Sequence, residues 1–211
     1  MKSFLKVSVE LDGIDVFQKY TFKSIEVEKQ INKINSAFLQ INDGNFSDGF
    51  CNISEENLFK CGSKVEIKAS FEDETKKIFS GKIVEISISS DSKSSYFNIV
   101  CKSNSYKTSL RRKSNFFENI RDSDAFKKIL INYKDLNQEI EDTDITHETL
   151  IQNDCSDWDF INMRAEANSM IVICQDDDFV IKKIDTKQAP IKSFEFGKDF
   201  ISIDLKQNSR N

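Results

Sequence analysis

The sequence predicts an α+β protein that is mainly β, and three observations predict it. Up to about residue 110, apolar and polar residues alternate in short runs separated by turn signals, the pattern of a barrel or sandwich. After Arg111 the spacing becomes that of amphipathic helices, at residues 124–133 and around the single tryptophan, Trp158. Two apolar runs, 170–174 and 179–184, follow the second helix, so this region reads as a small α+β unit. From 193 to 205 strand character returns, with Phe194, Phe196, Phe200, Ile201, Ile203 and Leu205.

Leu5, Val7, Val9 and Leu11 alternate with Lys6, Ser8 and Glu10, which gives a first strand over 3–11, and Asp12-Gly13 is a hairpin turn. A second strand is expected over 16–22 and a third over 24–33. Val65, Ile67, Ala69 and Phe71 alternate with Lys64, Glu66, Lys68 and Ser70, a half-buried strand that Glu72-Asp73-Glu74-Thr75 turns. Residues 77–81 and 82–89 continue the sheet and 96–101 complete a meander, with a helical turn at 54–59 as an interruption. One proline and six glycines leave the turns to Asn, Asp and Ser, as in Asn42-Asp43-Gly44-Asn45 and Ser89-Ser90-Asp91-Ser92.

In the first predicted helix Phe126, Ile129, Leu130 and Tyr133 share one face. Ser156 is the expected N-cap of the second, with Asp159 three residues on as its capping-box partner and with Asp157 and Asp159 at the positive end of the dipole. Trp158, Ile161 and Ala165 fall on one face there. Trp158 reads as a helix-to-sheet anchor, with an interface hot spot as the alternative. A mostly polar stretch separates the helices, and Asp176-Asp177-Asp178 turns the last hairpin.

Composition narrows the function classes. With 31% charged residues and a net charge of −5, the chain is not generally basic, and nucleic acid is a poor partner for it. No run of 18 apolar residues occurs, so no membrane-spanning segment is expected. Lys6 and Glu10 interrupt any secretory h-region, which points to synthesis in the cytoplasm. Cys51, Cys61, Cys101, Cys155 and Cys174 lack CxxC spacing and are expected as reduced thiols, most of them small core residues.

No catalytic, cofactor-binding or metal residue is expected. His147 with Asp144, Glu148 and Asp154 is the one acid/base grouping worth naming, and neither a nucleophile elbow nor HExxH accompanies it. Asp176-Asp177-Asp178 lacks the spaced Asp pattern and distal Glu of a calcium loop. Charge is segregated: residues 101–114 carry Lys102, Lys107, Arg111, Arg112 and Lys113 with no acid, whereas 135–163 carry nine acids and no Lys or Arg until Arg164. The runs read either as a charge-complementary contact between subunits or rings, or as two solvated faces of one domain.

The order of parts carries a resemblance. Phe79-Ser80-Gly81-Lys82-Ile83 lies in the β-rich part, and Leu110-Arg111-Arg112-Lys113-Ser114-Asn115-Phe116-Phe117 follows it. Leu150-Ile151-Gln152-Asn153-Asp154-Cys155-Ser156-Asp157-Trp158-Asp159-Phe160-Ile161 precedes the second helix, and Phe194-Glu195-Phe196-Gly197-Lys198-Asp199-Phe200 closes the series. This order resembles the N-terminal, gp27-like hub region of VgrG proteins and of phage tail protein D baseplate hubs. The family's F-x-G-x-I segment is matched at 79–83. Asn153-Asp154-Cys155 stands where the family more usually has a Tyr-containing lead-in.

The resemblance implies a first hub β-barrel over 1–111, a small α+β insertion over 112–190 and the incomplete start of a second barrel over 191–211. It implies a structural spike or hub component of a contractile injection apparatus, such as a type VI secretion system, that adapts a hexameric inner tube to a trimeric spike. Implied partners are two further copies of the chain, the tube protein and spike or baseplate proteins. Delivery would be by the apparatus or as part of a phage-like particle. Enzyme activity and cofactors are not implied. The competing classes are a phage-tail cell-wall hydrolase, which needs paired carboxylates in a cleft, and a ligand-binding β-domain, which needs a deep apolar pocket.

Overall fold

Seven strands form one antiparallel sheet: β1 (Lys6–Leu11), β2 (Ile14–Asp15), β3 (Phe22–Glu28), β4 (Ser36–Gly44), β5 (Lys64–Phe71), β6 (Glu74–Ser90) and β7 (Ser95–Lys102), in the order β2-β1-β5-β6-β7-β4-β3. The computed structural model describes residues 6–44, 58–71, 74–90, 94–199 and 202–204. Alternation sets the inward face: Val9 and Leu11 of β1, Val65 and Ile67 of β5, Ile99 and Cys101 of β7, and Ala37, Leu39 and Ile41 of β4 are all buried in one core.

The class is as expected, α+β and mainly β, but among the described residues the sheet stays open. Its edge strands β2 and β3 are not hydrogen-bonded to each other. The segment expected as a second strand, 16–22, lies between those edges and is a turn. Lys19 and Tyr20 both donate their backbone N–H to Val16 O. Its apolar residues Val16, Phe17 and Tyr20 follow helical rather than alternating spacing. They fill the gap with side chains: Phe17 stacks on Phe22 at 5.4 Å, and Tyr20 meets Phe59 at 5.4 Å.

Other expectations shift too. The third strand ends at Glu28 instead of running to 33, and residues 77–89 lie in a single 17-residue strand. β4 falls where no strand is expected from the sequence. Asn42-Asp43-Gly44, read as a turn, is the end of that strand, with a register shift between Asn42 and Gly44. The helical turn at 54–59 lies almost wholly outside the described residues.

After a 3-10 turn (Asn104–Ser109), β8 (Arg112–Arg121) and β10 (Thr146–Ser156) pair as a two-stranded antiparallel ribbon. Helix α1 (Asp122–Leu130) follows β8, and helix α2 (Asp157–Ala167) follows β10. β9 (Asn137–Ile140), β11 (Met170–Gln175) and β12 (Asp178–Lys183) make a sheet of order β11-β12-β9, in which β9 runs parallel to β12. The polar stretch between the helices therefore holds two strands. A second core joins these parts through Phe126, Leu130, Phe160, Ile161, Val172, Phe179 and Ile181, all at most 1% exposed.

Trp158 is the expected anchor, set edge-on to Phe179 of β12 at 5.9 Å. It is only half-buried, and the fully buried aromatic of α2 is its neighbour but one, Phe160. The described part of the tail forms no strand, and Phe194, Phe196 and Ile203 are 61%, 67% and 59% exposed. No helix among the described residues is long and apolar enough to cross a membrane.

Candidate functional site

At the start of each helix a cluster of polar side chains is buried. The first centres on Asp122, the first residue of α1, whose side chain is 1% exposed. Arg164 of α2 grips it with two bonds, Nε to Oδ1 at 2.6 Å and Nη2 to Oδ2 at 2.9 Å. His147 of β10 lies 2.8 Å from Oδ2 through Nε2, and Asn168 donates at 3.0 Å. Burial alone would raise the carboxyl pKa, but the bonds from Arg164, Asn168 and His147 outweigh it and hold the group down at about 2. Asp122 is therefore ionised at neutral pH and has no proton to give as a general acid. Its bonds tie α1, β10 and α2 together. Thr143 adds a cap to α1, accepting from Ser123 N at 3.1 Å.

The second cluster centres on Asp157, the first residue of α2, which is fully buried. Lys113 of β8 and the Tyr133 hydroxyl each reach Oδ2 at 2.5 Å, and Gln152 Nε2 donates to Oδ1 at 2.9 Å. Burial and the bond to Asp157 push the Tyr133 hydroxyl well above the usual phenol range. Gln152, itself 0% exposed, is positioned by a bulge: Gln152 faces Asn115 and Cys155 faces Lys113, so Asn153 and Asp154 stand opposite Ser114 alone. Asp154 takes a φ of 41° there, and Ser114 Oγ accepts from its N–H. The expected cap is present, with Ser156 Oγ accepting from Asp159 N at 3.0 Å and donating to Asp159 Oδ2 at 2.6 Å.

The acid/base grouping that the sequence allows on paper around His147 does not assemble. Asp144 is 94% exposed and 3.8 Å from Lys183, Asp154 pairs with Arg112 at 3.2 Å, and Glu148 is exposed. Of that grouping only His147 sits in a buried polar cluster, with partners that sequence spacing does not reveal.

The two charge runs meet inside the chain. Lys107 pairs with Asp135, Arg112 with Asp154 and Lys113 with Asp157. Three of the five bases are thus spent on three of the nine acids, an outcome neither sequence reading contained. Among the described residues no carboxylate pairs with Lys102 or Arg111.

The Asp176–Asp177 turn sits against the seven-stranded sheet. Asp176 is 3.4 Å from Lys77, Asp177 accepts from Asn104 at 2.8 Å and Asp178 accepts from Asn137 at 3.0 Å. Each carboxylate of the triplet has a protein partner, as suits a docked hairpin tip. Beside it the outer edge of β11 is covered by the loop after β3. Asn32 N donates to Val172 O at 2.8 Å, and Val172 N donates to Asn32 Oδ1 at 2.8 Å. Asn35 Nδ2 donates to Cys174 O, two residues along. Two asparagines thus stand in for a fourth strand and close an edge that would otherwise invite pairing. Asn35 is 4% exposed, so Asn35→Ala is expected to strand the Cys174 carbonyl and cost about 1–3 kcal/mol. Amide exchange along β11 should accelerate in that variant, and unchanged exchange would contradict the role.

Among the described cysteines, Cys101 and Cys174 are buried, Cys155 is half-buried and Cys61 is exposed. Burial pushes the Cys101 thiol up to about 12 and the Cys174 thiol to about 11. Brief treatment with a thiol reagent at about pH 8 should modify Cys61 and spare Cys101 and Cys174 in the folded chain. Mass spectrometry of the digested protein reads this, and equal labelling would contradict the packing.

The comparisons agree with this architecture. The sequence matches the family model described as the Alg8 N-terminal domain over residues 1–211. No curated protein matches it. Among solved structures it is similar to the 43 kDa tail protein of prophage MuSo2 from Shewanella oneidensis, with a TM-score of 0.66 and 8% identity over 85% of this chain and 53% of that one. A tail protein from Neisseria meningitidis MC58 gives 0.63 and 11% over 89% and 53%. The E. coli c3393 protein, described as a type VI secretion component with structural similarity to the T4 tail proteins gp27 and gp5, gives 0.52 and 12% over 85% and 47%. The chain spans about half the length of these proteins. The likeness lies in the fold, which the chain shares with these tail and secretion proteins, and by the match along its sequence the chain belongs to the Alg8 N-terminal domain family.

Proposed function

We propose that this chain is a structural hub or spike component of a contractile injection apparatus, adapting a hexameric inner tube to a trimeric spike. One observation carries the reading. The fold recurs, over 85% and 89% of this chain, in a prophage tail protein and in a second tail protein. Fold alone is a weak warrant for function, so the site must add to it. What the site adds is rigidity: two buried ionic clusters and an asparagine-capped edge lock helices, ribbon and sheets together, as a part that transmits force between rings requires.

Self-association into a trimer, contact with the tube protein, and delivery by the apparatus after cytoplasmic synthesis belong to this proposal. So does the division into a first barrel at 1–111, an insertion at 112–190 and the start of a second barrel at 191–211. The strand-patterned Phe194 and Ile203, both exposed, support the last of these, since apolar residues in that pattern suit a further layer. Electron microscopy of particles purified from cells that carry a tagged copy tests the reading. Density for the tag at the tube–spike junction is expected, and intact particles lacking the chain would overturn it.

A further inference from the structure

On the outer face of the seven-stranded sheet, where β6 and β7 meet the 3-10 turn, lies a groove of roughly 390 Å³ lined by Cys61, Val84, Val100, Lys102, Tyr106 and Leu110, with Glu85 as its one acid. Three features set it apart from ordinary surface. β6 bulges into it: Ile83 faces Cys101 and Glu85 faces Val100, which leaves Val84 extra. Leu110 is 62% exposed at its rim. The third is a row of lysines. Lys64 faces Lys82 across β5 and β6, and Lys82 faces Lys102 across β6 and β7, so three like charges stand side by side.

Two of the three charges are relieved. Glu66 reaches Lys64 at 2.6 Å, and the carboxylate of Asp135 lies within the field of Lys82. Lys102 is exposed, and neither it nor exposed Arg111, next to Leu110, has a carboxylate partner among the described residues. An opposite charge from outside would complete the row, and an apolar side chain beside it would cover Leu110, Val84 and Val100.

We propose that this groove docks an acidic, apolar-tipped segment of a partner protein, its carboxylate on Lys102 and its apolar side chain against Leu110 and Val84, with Arg111 flanking Leu110 in the chain. The inference deepens the hub reading by naming a surface through which a hub would hold a neighbour. Its failure leaves that reading to the microscopy experiment, which does not involve this groove.

Cys61 supplies the test, because its exposed thiol lines the groove. The rate of Cys61 modification by a neutral maleimide is followed on the 211-residue chain, by mass spectrometry of the Cys61 peptide. The probe is the acetylated peptide amide Glu-Asp-Phe-Leu-Glu-Asp, with Lys-Lys-Phe-Leu-Lys-Lys as counterpart and a short single-stranded DNA as a source of phosphates. The acidic peptide is expected to slow modification about five-fold or more at low salt and less at high salt. Lys102→Glu with Arg111→Glu should abolish that protection, Leu110→Ser should weaken it, and Lys192→Glu, in the exposed tail, should leave it unchanged. All four positions are exposed, so folding is not at stake. No protection by the acidic peptide, equal protection by the basic one, or protection by DNA alone would each overturn the proposal.

Discussion

Arg164→Met is expected to lower the stability of the chain by about 3–5 kcal/mol, the cost of leaving a buried carboxylate without its cation. Asp122 is 1% exposed, and Arg164 supplies two of its hydrogen bonds and its positive charge. His147 and Asn168 would remain, and with them part of the stabilisation. Asp122→Asn should cost less, about 2 kcal/mol, because the amide needs no counter-charge and keeps one acceptor. The double variant should be more stable than the sum of the singles predicts, by more than about 1 kcal/mol, since the groups touch. Urea unfolding at neutral pH reads all three, and additive losses would show that the pair is not coupled.

The same cluster sets an acid response. The carboxyl of Asp122 has a pKa of about 2 in the folded chain against 3.8 for the free group. Between those values the unfolded chain takes up a proton that the folded chain refuses, so stability falls as pH falls. The contribution is complete above about pH 4 and gone below about pH 2, and amounts to roughly 2 kcal/mol. Asp135 and Asp142 move in the same direction beside Lys107 and Lys127, but both are solvent-exposed and screened. In Arg164→Met the acid slope should shrink or reverse. An unchanged slope would place the acid sensitivity elsewhere.

The sequence made some of this legible and hid the rest for identifiable reasons. Alternation found β1 and β5, and capping chemistry found the start of α2 at Ser156, because both signals are local. β4 was hidden because Asn42-Asp43-Gly44 has turn chemistry, and tertiary pairing with β7 overrides that preference. β10 was hidden because its inward residues include Gln152 and Ser156, so the buried face is partly polar and shows no apolar period. The first helix was found but placed late, since Asp122 and Ser123 are buried for polar reasons. Apart from Gln152, the partners of Asp122 and Asp157 lie 24 to 46 positions away in the chain, and no spacing rule reaches across such distances. The charge runs were visible as composition, yet their pairing depends on β8 and β10 being neighbours. The Phe79-Ser80-Gly81-Lys82-Ile83 motif was legible only as a likeness, and the structure supplies its physical reason.

Gly81→Ala is expected to cost about 2–4 kcal/mol, and Gly81→Val to prevent folding, although neither replaces a side chain that makes a contact. β6 serves two partners: Glu74 to Lys82 pair with β5, and Lys82 to Ser90 pair with β7. Lys82 belongs to both ladders, and Gly81 lies where the end of β7 comes close against the strand. A Cβ on Gly81 would stand 2.3 Å from the carbonyl oxygen of Lys102 and 2.7 Å from both its carbon and the ring tip of Phe79. The ring could turn, but the Lys102 backbone is held in ladders to Lys82 and to Ser36 of β4 and has nowhere to go. Phe79, Gly81 and Ile83 are all buried, at alternate positions of one strand, so the glycine makes room for the phenyl ring beside it. The F-x-G-x-I pattern is then a packing rule: two large residues flank a position that must stay empty so that the end of β7 can approach the strand. Urea unfolding of Gly81→Ala beside Ser80→Ala, at the preceding buried position, separates this from a general intolerance of the strand. A Gly81→Ala variant within about 0.5 kcal/mol of the parent would refute this close approach.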